Sequence, residues 1–266
     1  MAAFNSTPFV RAQGLDAATA LVRRRRDLDV PILAAACWAI LVVAELTGAS
    51  AALHHHALIE GGVPLMAAVP IFLVGWLVMA AAMMLPASLG VIQLVEGAAS
   101  SVGWPRRARS TFLASFALVW TGFGTVAFLG DVGLHHVVDT TPWLAGRPWL
   151  IEAGILALAG GYQFVPLKRR SLAACRHPAE PAAPVSMGTL SRLDLRHGLA
   201  CLGSSWALML LMFAQGFASI GWMVALTALM VYEATGRHGQ RAASVAGVAL
   251  ILAAIATVSG VAVGGP

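Results

Sequence analysis

The long apolar segments of this sequence, which are almost free of charged residues, constrain most strongly what the chain can fold into. A helix needs about 20 apolar residues to cross the roughly 30 Å hydrocarbon core of a bilayer. Seven segments approach or exceed that length, and only 17 basic and 12 acidic residues are spread over the 266 positions, too few to coat a soluble protein. The segments cover residues 31–52, 67–95, 111–130, 149–167, 198–213, 217–232 and 242–263. The sequence therefore predicts an all-α polytopic membrane bundle of about seven transmembrane helices.

The basic residues predict how this bundle is oriented. If residues 1–30 form a cytoplasmic basic segment, every Lys and Arg except Arg147 falls in a cytoplasmic connection, as the positive-inside rule requires. We therefore expect a cytoplasmic N-terminus, an external C-terminus and one transmembrane domain over residues 31–266. Residues 168–197 are expected to contain a flexible cytoplasmic loop. The basic residues form short clusters between apolar segments and no nucleic-acid-binding module is visible, so we expect the lipid bilayer, and no nucleic acid, as a partner.

Histidines are concentrated in the two connections predicted to lie outside. His54, His55 and His56 are contiguous, and Asp131 lies four residues before His135, which His136 follows. Imidazole is a common ligand of transition metals, and residues four apart share a helix face. These six residues are candidate metal ligands, although contiguous histidines cannot all bind one ion in regular geometry. The alternative is that they are ordinary polar loop residues.

Sulfur-bearing side chains lie inside the predicted membrane segments. Met79 and Met83 share one helix face, Met84 follows, and Pro86 is expected to bend this helix and turn Met83 and Met84 inward. Cys201 and Met209 lie two turns apart on another helix. Thioethers and thiolates favour Cu(I) over hard cations, so these residues are candidate copper ligands. Ordinary packing of methionine and small residues explains the same spacing.

No motif of an enzyme accompanies these residues. The sequence has no phosphate-binding glycine loop, no His-Glu-x-x-His helix and no Gly-x-Ser-x-Gly turn. A nucleotide-driven pump and a hydrolase are therefore disfavoured. An enzyme is less expected than a protein that binds or moves a metal.

Four motifs of this sequence are specific in combination. They are Met79-x-x-x-Met83-Met84-Leu85-Pro86, Tyr162-Gln163-x-x-Pro166-Leu167-Lys168, Cys175-Arg176-x-Pro178, and Arg196-His197-Gly198 followed by Cys201-Leu202-Gly203-x-x-Trp206-Ala207-Leu208-Met209. Together they resemble a bacterial family of predicted metal-binding integral membrane proteins, which is associated with copper supply to a tyrosinase-type oxidase. The resemblance covers residues 74–233. It implies a multi-pass protein of the bacterial inner membrane that carries copper, or a similar transition metal, for an exported copper enzyme.

This sequence departs from the family pattern at one place that matters for metal binding. The resemblance implies one or two further cysteines between Cys201 and the tryptophan, where this chain has Ser204 and Ser205. A hydroxyl is a poor ligand for Cu(I), so the soft site must rely on the remaining sulfur atoms.

Three functions therefore remain as hypotheses. The first is an inner-membrane protein that transports copper or delivers it to an exported metalloenzyme. The second is a structural or assembly subunit of a larger membrane complex. The third is a membrane oxidoreductase that uses the histidines as haem or copper ligands.

Overall fold

The computed structural model describes residues 28–49, 64–178, 186–215 and 220–263. Every regular element within these ranges is a helix, so the all-α prediction is confirmed. The helices are α1 (Leu28–Leu46), α2 (Leu65–Ser100), α3 (Pro105–Thr140), α4 (Pro142–Ala145), α5 (Pro148–Tyr162), α6 (Pro166–Arg176), α7 (Met187–Gln215), α8 (Ile220–Thr235) and α9 (Gly239–Val263).

The described helices fit a membrane bundle. Five of them, α1, α2, α3, α7 and α9, are long and apolar enough to cross a bilayer. Helices α5 and α6 form a sixth such segment that is bent by 62°. Helix α8 is apolar but has only 16 residues, about 24 Å at 1.5 Å per residue. The described part thus holds five or six full spans and one short helix where we predicted seven spans, and the cytoplasmic N-terminus stays a prediction.

Proline and glycine set several of the helix boundaries. Helices α3, α5 and α6 each begin with proline, whose fixed φ suits the first turn and whose missing N–H has no partner to lose there. Gly103 adopts a φ of 81° in the turn between α2 and α3. Pro70 and Pro86 lie inside α2, which continues as one helix from Leu65 to Ser100.

Helices extend further into residues 168–197 than we expected for a flexible loop. The described residues of this segment are helical apart from His177, Pro178 and Ser186. Hydropathy missed these helical turns because α6 and the start of α7 are rich in arginine. Helix α7 therefore begins eleven residues before the apolar segment that starts at Gly198.

Aromatic side chains hold α2 against α3. Trp76 is fully buried, and its indole N–H donates to the carbonyl oxygen of Trp120 at 2.9 Å. A Cβ on Gly124 would lie 2.5 Å from the Trp76 ring, so only glycine leaves room for this indole. A second close approach joins α5 to α9, where a Cβ on Gly160 would lie 2.9 Å from the carbonyl oxygen of Gly247. Small residues therefore allow tight helix packing, as in many membrane bundles.

Candidate metal site

The sulfur atoms predicted to lie inside the membrane do face the protein interior. Met79, Met83 and Met209 are fully buried, Met84 is 1% exposed and Cys201 is 6% exposed. Further methionines are buried in the same apolar core, namely Met212, Met223 and Met230. Thioethers are therefore concentrated where α2, α7 and α8 meet.

Two of the predicted sulfur ligands lie next to each other at a small cavity. The Sγ atom of Cys201 on α7 lies 3.9 Å from the Sδ atom of Met84 on α2. The cavity beside them has a volume of about 20 Å³, enough for a single water or ion. Its walls come from α2, α6, α7 and α8, and Cys175 and Met230 bring two more sulfur atoms to them.

A buried histidine borders the same cavity. Nε2 of His197 lies 3.2 Å from the hydroxyl oxygen of Ser88, and both side chains line the cavity. Nδ1 of His197 has no hydrogen-bond partner among the described residues. Asp194, one turn earlier on α7, is 1% exposed, and neither carboxylate oxygen has a described partner. A buried polar group without a hydrogen-bond partner lowers the free energy of unfolding. His197 and Asp194 therefore destabilise this end of α7.

A buried ion pair between Lys168 and Glu233 lies next to the cavity, and Glu233 lines its wall. Nζ of Lys168 donates to Oε2 of Glu233 at 2.6 Å and to the carbonyl oxygen of Ser204 at 2.5 Å. The two charged side chains are 1% and 2% exposed. Because Lys168 belongs to α6, Ser204 to α7 and Glu233 to α8, this one ammonium group ties together three of the four helices that enclose the cavity.

Ser204 and Ser205, which lie where the resemblance implies one or two further cysteines, also line the cavity. Both hydroxyls donate to the carbonyl oxygen of Cys201 at 2.8 Å. The hydroxyl of Ser204 lies 3.8 Å from the Sγ atom of Cys175. A sulfur atom at either position would therefore stand among the existing sulfur atoms at the cavity.

The other predicted sulfur ligands lie beyond the cavity, towards one end of the bundle. The contacts Met84–Cys201 and Ser88–His197 make α2 and α7 antiparallel here. Met79 on α2 and Met209 on α7 therefore lie in the same direction from the cavity. At 1.5 Å per residue, Met79 is about 7.5 Å along α2 from Met84, and Met209 is about 12 Å along α7 from Cys201. Met83 is buried next to Met84 in sequence, but it does not line the cavity.

The candidate ligands at the predicted external end are only partly described. His54, His55 and His56 lie outside the described residues. Helix α3 continues past Gly130, so Asp131 and His135 share a face, with Nδ1 of His135 3.6 Å from Oδ2 of Asp131. His136 is exposed on the same helix. In the part of the chain that the structure describes, no three His, Cys, Asp or Glu side chains are grouped to hold a metal, so a site there must use methionine.

Sequence reasoning missed the roles of Lys168 and Glu233. The charge pattern assigns Lys168 to a cytoplasmic connection, and Glu233 directly follows the apolar segment 217–232. An ionisable residue within a membrane helix usually faces the protein interior and has a partner. Applied to Glu233, that rule predicts a buried cation nearby but does not identify Lys168.

Comparison with known proteins identifies one family model that matches this chain. A family model described as PpoB2, copper chaperone, matches residues 73–257, well over half of the sequence. No curated protein and no solved structure matches the chain.

Proposed function

Since this chain belongs to the PpoB2 copper chaperone family, we propose that it binds Cu(I) as cargo at the cavity beside Cys201 and Met84. It then releases the ion towards an exported copper enzyme of the tyrosinase type. The observation that carries the proposal is the buried sulfur pair, with 3.9 Å between Sγ and Sδ.

The separation of these two sulfur atoms suits a shared metal ion. Zn–S bonds in tetrahedral protein sites are about 2.3 Å long, which places two sulfur ligands of such a site about 3.8 Å apart. The observed 3.9 Å needs almost no movement of either helix. The Cys201 thiol releases its proton when it binds the ion. The resulting thiolate and the thioether form a soft donor pair, which favours Cu(I) over Mg²⁺, Ca²⁺ or Mn²⁺.

Further donors surround the pair. Met230 and Cys175 line the same cavity and supply a second thioether and a second thiol. The imidazole of His197 stands at its edge, oriented by Ser88. We propose Cys201 and Met84 as the primary ligands and Met230 or Cys175 as the third.

The buried methionines beyond the cavity offer a route for the ion. Met79, Met209 and Met212 lie on the same side of Cys201, and Met212 borders a second small cavity with Trp222 and Leu226 of α8. Thioethers bind Cu(I) without carrying charge, so successive methionines hold the ion weakly. Weak successive sites allow an ion to leave as well as enter.

We propose that the route ends at the histidines predicted to lie outside. Asp131 and His135 share a face of α3 and could receive the ion at that end together with the neighbouring imidazoles. Joint replacement by alanine should lower metal occupancy without unfolding the protein, since His136 is exposed and His135 only partly buried on α3, and the sequence predicts His54, His55 and His56 in a hydrated connection. The replaced residues are His54, His55, His56, His135 and His136.

A Cu(I) competition titration on the detergent-purified protein tests the internal site. Loss of an outer partner of a metal ligand costs about 10–100-fold in affinity, and loss of a ligand itself costs more. Cys201→Ala should therefore weaken Cu(I) binding by more than about 100-fold. Cys37→Ala is the matched control, because Cys37 is also buried, at 7% exposed, but lies on α1 and does not line the cavity.

The comparison of these two variants decides the proposal. Equal titration curves for wild type, Cys201→Ala and Cys37→Ala would show that the internal sulfur pair does not bind the cargo. Equal weakening in both variants would assign the loss to packing rather than to ligation.

A further inference from the structure

The bend between α5 and α6 opens a groove that faces the start of α9. The 62° turn moves α6 away from the line of α5. The space between α6 and the first turns of α9 is about 490 Å³, and a neighbouring space of about 370 Å³ continues it towards the α8–α9 connection. Leu172, Gln240 and Arg241 line both parts.

Arginine side chains line this groove from both sides. Arg169 of α6 and Arg241 of α9 line the larger part, and Arg237 lines the smaller part beside His177 and His238. All five are exposed, and no salt bridge joins any of the three arginines to a described residue. No acidic side chain of the described chain lines either part. The groove therefore carries uncompensated positive charge.

The wall of the groove is apolar next to these charges. Phe164 and Val245 line the larger part and are 44% and 70% exposed. Leu167, at the start of α6, is 56% exposed. Val245 belongs to the apolar helix α9, and Phe164 and Leu167 lie at the bend between α5 and α6, so an exposed apolar surface borders the arginines. Arginines directly beside an exposed apolar surface match a molecule with an anionic head and an acyl chain, and do not match an acidic peptide or a nucleic acid.

We infer that the groove between α6 and α9 binds the phosphate headgroup of an anionic phospholipid. Arg169 and Arg241 contact the phosphate, and Phe164 and Val245 contact the acyl chains. Basic pockets between transmembrane helices are known to hold such headgroups. The first turn of α9 contributes as well, since its backbone N–H groups and helix dipole favour an anion.

Lipid retention by the purified full chain tests this inference. Native mass spectrometry in mixed micelles measures binding of phosphatidylglycerol and of phosphatidylcholine, and inorganic phosphate is titrated separately. We expect the wild type to retain phosphatidylglycerol preferentially. The double variant Arg169→Gln/Arg241→Gln should bind it about thirtyfold less tightly, which corresponds to about 1 kcal/mol for each lost arginine.

The matched control removes the same charge elsewhere. Arg192→Gln/Arg196→Gln changes two exposed arginines of α7 that do not line the groove. Retention at the wild-type level in this control supports the inference. Equal loss in both double variants would overturn it, and so would equal retention of the two lipids by the wild type. Tight binding of inorganic phosphate at the groove in place of lipid would overturn it as well. Unfolding midpoints without added lipid check that both double variants fold.

Discussion

The buried ion pair of Lys168 and Glu233 leads to the sharpest prediction about this bundle. The Lys168 side chain is 1% exposed, and its ammonium group has Glu233 and the Ser204 carbonyl as partners. Oε1 of Glu233 has no described partner, so the carboxylate depends on Lys168 for its charge compensation. Lys168→Met keeps the length of the side chain but leaves a buried carboxylate alone.

Breaking a buried pair from one side costs about 3–5 kcal/mol, because an uncompensated charge stays behind. Replacing both partners with apolar residues of similar size is often neutral. We therefore expect Lys168→Met to lower the free energy of unfolding by about 3–5 kcal/mol, and Lys168→Met/Glu233→Leu to recover most of that loss. The pair encloses the cavity, so the single variant should also retain Cu(I) less well.

Reversible unfolding in mixed micelles with increasing SDS, followed by circular dichroism, measures these free energies. Asp29→Asn is the control, since Asp29 pairs with Arg109 but its side chain is 57% exposed. An exposed pair contributes at most about 1 kcal/mol, so this variant should change little. If Lys168→Met and Glu233→Leu each cost less than about 1 kcal/mol and their costs add, the pair is hydrated and the argument fails.

Two further predictions concern the cavity and the packing around it. Ser205→Cys should tighten Cu(I) binding at least tenfold in the competition titration, because it adds a sulfur atom at the cavity; Ser191→Cys, on the same helix but outside the cavity, should leave the curve unchanged. Gly124→Ala should lower the free energy of unfolding by about 1–3 kcal/mol, because the added methyl group would overpack against the Trp76 indole. Gly122→Ala should not, because the space at its Cβ is open. Equal unfolding midpoints for these two variants would contradict the close approach of Gly124 to Trp76.

The sequence predicts the all-helical fold, and which methionines share a helix face, because both depend only on residues close together in the chain. Apolar segments of membrane length can satisfy their backbone only as helices, so the all-α bundle follows from hydropathy. Met79 and Met83 are four residues apart, which puts them on one face whatever the rest of the chain does. The resemblance to the copper-supply family added the metal, and the family match supports it.

The contacts that form the cavity could not be predicted from the sequence, because they join residues that are far apart in the chain. Met84 and Cys201 are 117 residues apart, and Lys168 and Glu233 are 65 residues apart. No periodicity within one helix specifies which face of another helix it meets. Lys168 was out of reach for a second reason, because the positive-inside rule assigns a lysine to a loop even where its side chain is buried in the bundle.

The serines at positions 204 and 205 are consistent with the release of the ion that we propose. Three or four thiolates around one Cu(I) would hold it tightly, and an ion held that way leaves slowly. In the proposed site Cys201 supplies one thiolate and Met84 supplies a neutral thioether. The hydroxyls of Ser204 and Ser205 donate hydrogen bonds to the Cys201 carbonyl oxygen and supply no sulfur ligand. Fewer charged ligands mean weaker binding, and the nearby thioethers of α2 and α7 compete for the ion on similar terms. The Ser205→Cys variant tests this reasoning directly: it should retain Cu(I) longer and deliver it more slowly to an apo copper enzyme, and faster delivery would refute the link between weak ligation and release.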